Sequence, residues 1–395
     1  MPPSEFRRRE AARTVCATGA VVGLDPRIYS ILYEENDMES TILKNLSEGK
    51  FVLIAEIGVN YYDIASSRGI SNMDAAKLMI KEAADAGITA VKFQTYKAGT
   101  LAAKASPYYW DITEEPTRSQ YELFCKFDSF GYEQYRELKE YSDEIGIEFL
   151  STAFDFESAD YLDELMNVYK ISSSDLSNIP FIEYQARKNK PILLSVGASN
   201  EDEIVRALDA IRRNTDAPVT LLHCVLEYPT PLEDANLLKI ATLKKRFPDV
   251  YIGYSDHTKP TEECDVIKCA YNLGAQLVEK HFTLDKTLKG NDHYHAMDPK
   301  DAVNILAAVE RMDMIRGSGE LKCLDTEGAA RSNARRSIVS AGFIAKGEVI
   351  TEKMLTFKRP GSGISPDRIH EVTGCRAAVD IEDDTIIQES MLIHE

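Results

Sequence analysis

Long apolar runs are missing from this chain. The longest, such as Val219 to Leu226, falls far short of the roughly 20 residues a bilayer span needs, so no transmembrane segment is expected. Positive charge is also scarce: 46 Lys and Arg stand against 64 Asp and Glu, a formal net charge of −18. A field of that sign repels nucleic acid and anionic membrane, so neither is expected as a partner, and an anionic ligand needs a locally basic pocket. Seven cysteines occur without a CxxC pair, odd in number and mostly within apolar runs. That pattern argues against a disulfide framework and fits reduced thiols in the cytosol. The N-terminal stretch has no apolar run suited to a secretory signal.

What is present is ample apolar residue, 44% of 395, enough for one large domain and a smaller one. Residues 1–45 read as an N-terminal extension without fixed structure. They carry Arg7-Arg8-Arg9 and Arg13, small residues from Cys16 to Ala20 and an acidic Glu34-Glu35, with Met38 as an alternative start. Glu5 and Glu10 count against a transit peptide, which avoids acids.

From Phe51 onward, short β-rich runs alternate with helical ones, the pattern of parallel strands joined by crossover helices. Strands are expected at 51–57, 90–94, 147–151, 167–171, 191–195, 219–223, 250–254 and 276–281. Eight such units over 46–317 predict a (β/α)8 TIM barrel. Ala75, Leu78, Met79, Ala83 and Ala86 recur at helical spacing and Gly87 stands where a C-cap belongs. Further helices are expected near 133–145, 201–213, 262–273 and 299–315. The long insertion 96–131 follows the second strand and is expected over the active face. A linker over 318–336 precedes a small β-rich domain, 337–395, expected to lean on the barrel or on a neighbouring subunit.

Barrel strand ends meet at one face, so residues far apart in sequence can share a site there. In order they supply Glu56, Lys92 with Gln94, Thr152, Lys170 with Ser172 to Asp175, Ser195, His223 with Tyr228, His257 and His281. Lysines, hydroxyls and imidazoles together describe a pocket for a phosphorylated, carboxylated small molecule beside a divalent metal. Lys92 and Lys170 interrupt apolar strands, where an unpaired charge costs several kcal/mol, so ligand binding is the stronger reading for them. Core packing is the usual role of such histidines, but strand-end position favours His257 and His281 as ligands. Ser195, Thr152 and Ser172 equally suit helix caps. In Gly290-Asn-Asp-His-Tyr-His-Ala296, loop histidines beside a tyrosine are more often exposed or packed. His293 and His295 are therefore not counted as ligands, whereas Asp292 can reach back over the pocket.

Read together, Ala55-Glu-Ile-Gly-Val-Asn60, Val91-Lys-Phe-Gln-Thr95, Tyr169-Lys-Ile-Ser172, Leu222-His-Cys224, Tyr228-Pro-Thr-Pro231, Tyr254-Ser-Asp-His-Thr258 and Lys280-His-Phe-Thr283 resemble the bacterial sialic acid synthase family. Phe357-Lys-Arg-Pro-Gly361 resembles that family's antifreeze-like, or SAF, domain. The resemblance implies condensation of phosphoenolpyruvate with an N-acetylated amino sugar of the N-acetylmannosamine type, giving a nonulosonic (sialic) acid and phosphate. It implies Mn2+ as cofactor, with Mg2+ or Co2+ as alternatives, held by His257 and His281. Glu56 and Asp292 match catalytic positions. Lys92, Thr152, Lys170, Ser173, Ser195 and Ser255 match phosphoenolpyruvate contacts, and Gln94, Asp175, Tyr228, Asp292 and Arg359 match sugar contacts. Arg359 would be delivered into the barrel of the other subunit, making a domain-swapped homodimer. The product would enter a surface glycan or lipopolysaccharide.

The departures from the family pattern fall near the sugar. Leu226 stands where neuraminic acid enzymes carry an asparagine, Asp175 replaces a glutamate, and His-Tyr-His follows Asp292. A 6-deoxy diacetamido sugar, as in legionaminic or pseudaminic acid synthesis, is the nearest alternative. A non-catalytic sugar-binding barrel is the alternative of another class. Ice binding by the tail is discounted, since 337–395 is highly charged and has no threonine array.

Overall fold

The eight β-rich runs become eight parallel strands that close in sequence order: β1 Val52–Gly58, β2 Ala90–Thr95, β3 Glu148–Ala153, β4 Tyr169–Ile171, β5 Ile192–Ser195, β6 Val219–Cys224, β7 Tyr251–Asp256 and β8 Leu277–His281, with β8 pairing β1. The structure, a computed structural model, describes residues 40–290 and 292–394. It divides into a unit ending at Ile315 and a second beginning at Arg316. The expected helices are found at Tyr132–Ile145, Glu201–Arg212, Asp265–Leu273 and Pro299–Arg316. The helix Asn72–Asp85 is capped by Ser71, whose hydroxyl accepts from the Asp74 amide, and it buries Ala75, Met79 and Ala83. Gly87 follows it with φ of +82°, a left-handed conformation that ends a helix without Cβ strain.

Alternation of side chains across each strand sorts the residues. Ile54, Ala90, Leu150, Val168, Leu193, Leu222 and Leu277 form one buried cluster inside the barrel. Their neighbours Ala55, Val91, Phe149, Tyr169, Leu194, Leu221 and Val278 belong to the larger core between sheet and helices. Moving two residues toward the C-terminal end of each strand on the interior side gives Glu56, Lys92, Thr152, Lys170, Ser195, Cys224 and Glu279, with Ser255 two beyond Gly253. An apolar interior layer thus lies directly beneath a polar one, and the polar layer is the floor of a cleft.

The expectation of an unstructured extension over 1–45 fails at its C-terminal end. Residues 1–39 lie outside the described ones, but Thr41–Ser47 is a helix capped by Ser40. Its Ile42, Leu43 and Leu46 join the interior cluster, and the Ile42 amide donates to Glu148 Oε2 at the start of β3, at 2.9 Å. Burial of three aliphatic side chains, about 1.5–3 kcal/mol each, makes this segment the plug of the barrel's N-terminal end. The insertion after β2 carries short helices at Ala98–Leu101 and Gln120–Lys126. An ion pair of 3.3 Å between Glu114 and Lys289 ties it to the loop after β8.

The second unit carries two antiparallel pairs, β9 Ser337–Ser340 with β10 Leu355–Lys358, and β11 Arg376–Ala377 with β12 Leu392–Ile393. It has a small core of its own, in which Ile338, Ile344, Ile350, Val372, Ala377 and Ile387 are fully buried. The stretch expected as a linker, 318–336, contains a helix, Gly328–Ala334. Among the described residues no helix is long and apolar enough to cross a membrane.

Candidate active site

A cleft of about 390 Å³ opens at the C-terminal ends of the strands. Glu56, Lys92, Gln94, Thr152, Lys170, Ser173, Ser195, Tyr228, Ser255, His257 and His281 line it, joined by Cys224, Leu226 and Glu279. Register brings them together: Glu56 pairs across to Lys92 on one side and His281 on the other, and Ser255 stands beside both Cys224 and Glu279. Gly58 ends β1 with φ of +53°, and a Cβ there would meet Gln94 Nε2 at 3.1 Å, so the turn over Gln94 suits glycine.

One half of the cleft is a charge network. Lys92 Nζ lies 2.5 Å from Glu56 Oε2 and 3.8 Å from Glu279, and donates to Thr152 Oγ1 at 3.2 Å. Lys170 Nζ is 3.2 Å from Glu279 Oε1, which also accepts from Ser255 Oγ at 3.1 Å. Gln94 Nε2 donates to Glu56 Oε1 at 2.8 Å. Burial acts to lower the Lys92 ammonium, but Glu279 and Glu56 hold it above its ordinary pKa. Burial likewise acts to raise Glu279, and Lys170 and Lys92 draw it below the usual carboxylate range. Burial raises Glu56 and lowers Lys170. Two cations and two carboxylates therefore balance within a buried site, which removes the several kcal/mol that either charge alone would cost. The hydroxyls are partly committed. Ser173 Oγ accepts from the Gly197 amide at 2.8 Å and Ser172 caps its own short turn. Ser195 Oγ is buried with no hydrogen-bond partner among the described residues.

The other half holds imidazoles. His257 Nδ1 lies 2.6 Å from the Val225 carbonyl, which only accepts, so Nδ1 carries the proton and Nε2 the lone pair. Its ring packs against Tyr228 with centroids 4.2 Å apart and stands 5.5 Å from that of His281. His281 Nδ1 is 3.7 Å from Asp292 Oδ2. Burial lowers His257 to about 4, and burial with His295 and His257 nearby takes His281 well below its usual value. Burial, reinforced by Glu56 and Asp63, pushes Asp292 up to about 7. Neutral imidazoles beside a carboxylate are donors suited to a divalent cation. His281 Nδ1 has no hydrogen-bond partner among the described residues, as expected of an atom meant for a ligand.

Several residues were not legible as part of the site. Glu279 shares the interior face with His281 by simple alternation, which is the signal that would have found it. Asp256 and Lys280, on the alternate face of β7 and β8, form a buried pair at 2.7 Å. Asp256 Oδ1 accepts from Tyr254 and from both the amide and the hydroxyl of Thr258, while Lys280 donates to the Thr258 carbonyl at 2.5 Å. This network fixes the segment that carries Ser255 and His257. His223 also faces outward, its Nε2 bonded to the Ala235 carbonyl at 2.8 Å, and does not join the cleft. Asp175 is not among the lining residues, its carboxylate being used by Asn178 in a local turn at 3.1 Å. Arg359 belongs to the second unit and is exposed there. His293 and His295, read as packed or exposed loop side chains, are both fully buried. His293 is satisfied, with Nδ1 2.7 Å from Thr283 Oγ1 and Nε2 3.2 Å from Asp63.

The barrel and the appended β unit both match known proteins. Residues 79–321 match the NeuB family and residues 335–393 the SAF domain, and the chain belongs to the NeuB family. Sequence relatives include an uncharacterised protein of Methanocaldococcus jannaschii, 39% identical over 85% of this chain and 92% of its own length. The N,N'-diacetyllegionaminic acid synthase of Campylobacter jejuni is 36% identical over 86% of this chain and 99% of that one. The crystal structure of an N-acetylneuraminic acid synthetase from Leptospira borgpetersenii in complex with citrate superimposes with a TM-score of 0.61 at 32% identity, over 71% of this chain and 90% of that one.

Proposed function

We propose that the protein condenses phosphoenolpyruvate with an open-chain N-acylated amino sugar to give a nonulosonic acid and phosphate. The observation that carries this reading is the cleft floor, where two buried ammoniums balanced by Glu56 and Glu279 stand beside neutral imidazoles. Lys92 and Lys170 hold the phosphate and carboxylate of phosphoenolpyruvate, with Thr152, Ser173, Ser195 and Ser255 donating to the same oxygens. Gln94, Tyr228 and Asp292 hold the sugar. His257 and His281 hold a divalent cation, with Mn2+ the expected ion. Bound there, it supplies Lewis-acid polarisation of the sugar aldehyde.

C3 of phosphoenolpyruvate bonds to the aldehyde carbon, and the aldehyde oxygen takes a proton to become a hydroxyl. Water adds at C2 and gives up a proton. The bond from C2 to the phosphate oxygen then breaks, leaving the keto group and releasing phosphate with the second water proton. Glu56, oriented by Gln94 and raised by burial, is the group at the floor able to accept and return protons during these steps. Asp292, whose Oδ2 lies 3.7 Å from His281 Nδ1, is placed to do so at the sugar side.

Leu226 in the cleft wall favours a sugar less polar at that contact, the 6-deoxy diacetamido type. Phosphate release from phosphoenolpyruvate with Mn2+, measured against N-acetylmannosamine, 2,4-diacetamido-2,4,6-trideoxymannose and the corresponding altrose sugar with EDTA controls, tests the reading. Release with one sugar identifies the product. Silence with all three in metal-loaded protein leaves the non-catalytic binding barrel. In the same reading Arg359 serves the site of a second copy. Mixing Glu56→Gln and Arg359→Ala chains then restores about a quarter of wild-type turnover, one intact site in half of the dimers; a mixture as inactive as its parts removes the exchange.

A further inference from the structure

The loop after β8 places a third imidazole against the histidine half of the cleft. His295 is fully buried, and neither of its ring nitrogens has a hydrogen-bond partner among the described residues. A neutral imidazole always carries one N–H, and burying it without an acceptor costs about 1–3 kcal/mol, with a further penalty for the unpaired lone pair. His293, two residues earlier and equally buried, has a partner on each nitrogen, so the loop itself permits satisfaction. The unpaired atoms of His295 are also not randomly placed. Its ring centroid is 4.9 Å from that of His281, and its Nε2 is 3.9 Å from Asp292 Oδ1, beyond hydrogen-bond reach. One donor atom each from His281, Asp292 and His295 all lie within 4.8 Å of one another.

We propose that His295 is a further nitrogen ligand of the divalent cation. The site then offers three imidazoles rather than two: His281 and His295, which cluster beside Asp292, and His257, whose ring centroid lies 5.5 Å from that of His281 and 6.4 Å from that of His295. A nitrogen-rich donor set shifts preference along the first-row series, away from Mg2+ and Mn2+ toward Co2+ and Zn2+. The inference rests on the proposed metal-assisted condensation for its purpose, but not for its test.

The test is metal binding by EDTA-stripped wild-type protein and by His295→Asn and His295→Ala, followed by calorimetry and by the visible spectrum of Co2+. Loss of the ligand weakens Co2+ by about 100-fold, whereas Mg2+, which favours oxygen and retained water, changes by less than about 3-fold. Equal Co2+ affinity in wild type and variants overturns the proposal. Pulsed EPR of Mn2+-loaded wild-type protein counts coordinated imidazoles without any substitution, so a variant that fails to fold does not obstruct the answer. Three imidazoles are expected, and two overturn it. Phosphate release is scored separately: a wild type that binds metal through three imidazoles yet never releases phosphate defeats the condensation and leaves the ligand assignment standing.

Discussion

The lysine half of the cleft and the histidine half rise from the same ring of strand ends, yet the first pairs its charges internally and the second has neutral nitrogens left unpaired. On the lysine side Lys92, Lys170, Glu56 and Glu279 pair their charges within 2.5–3.8 Å, although Glu56 Oε2, Glu279 Oε2 and Ser195 Oγ accept no hydrogen bond from the described residues. On the histidine side His281 Nδ1 and both nitrogens of His295 have no hydrogen-bond partner among the described residues. The first half is electrically complete when the chain folds. The second keeps nitrogen donors that, in the proposed reading, a divalent cation takes up. A substrate contributing negative charge must compete with Glu56 and Glu279 for the lysines, whereas a cation meets donors that no hydrogen bond occupies.

The strongest way to break this contrast is Lys92→Met, which leaves Glu56 and Glu279 buried around a single cation. Removing one partner of a buried pair costs about 3–5 kcal/mol, and the urea midpoint of metal-free protein should fall accordingly. A variant as stable as wild type would mean the lysine half is not self-supporting. Lys280→Met, outside the cleft, should lose as much through Asp256 while also loosening the segment of His257. His281→Asn sharpens the other half: the metal-free protein should stay within about 1 kcal/mol of wild type, because no hydrogen bond is lost. What disappears is the stabilisation by metal, about 2.7 kcal/mol at a hundred times the dissociation constant. Metal-dependent melting separates the two variants.

Smaller effects follow at the margins. Leu226→Asn should move preference among the three sugars by about 10-fold or more toward N-acetylmannosamine, by adding an amide where the present wall is apolar. Unchanged ratios would place selectivity elsewhere. Burial pushes the Cys224 thiol up to about 11, so at pH 8 about one molecule in a thousand is thiolate. Iodoacetamide should label exposed Cys125, Cys269 and Cys323 far sooner than Cys224, as read by mass spectrometry of timed samples.

The period-two and 3.6-residue patterns carried the barrel well, because eight short apolar runs between amphipathic helices have few other ways to pack. All eight expected strands overlap those observed. The lysines, Glu56 and the strand-end histidines were visible because polar residues inside apolar strands need an explanation. Lys280 and Asp256 were hidden by the same logic applied one residue off, since a charge facing the helices can be satisfied by another charge there. His293 and His295 were indistinguishable in sequence: what separates them is whether Thr283 and Asp63 stand opposite, a fact of tertiary structure alone. Thr41–Ser47 was missed because a seven-residue helix has too few turns to show a period.

That short helix has a consequence for traffic. With Ile42, Leu43 and Leu46 seated among the interior aliphatics, the described residues close the barrel at its N-terminal end, opposite the cleft. In the proposed condensation, both reactants would therefore enter, and both products leave, from the strand-end side, where the cleft with Tyr228 and Leu226 in its lining lies.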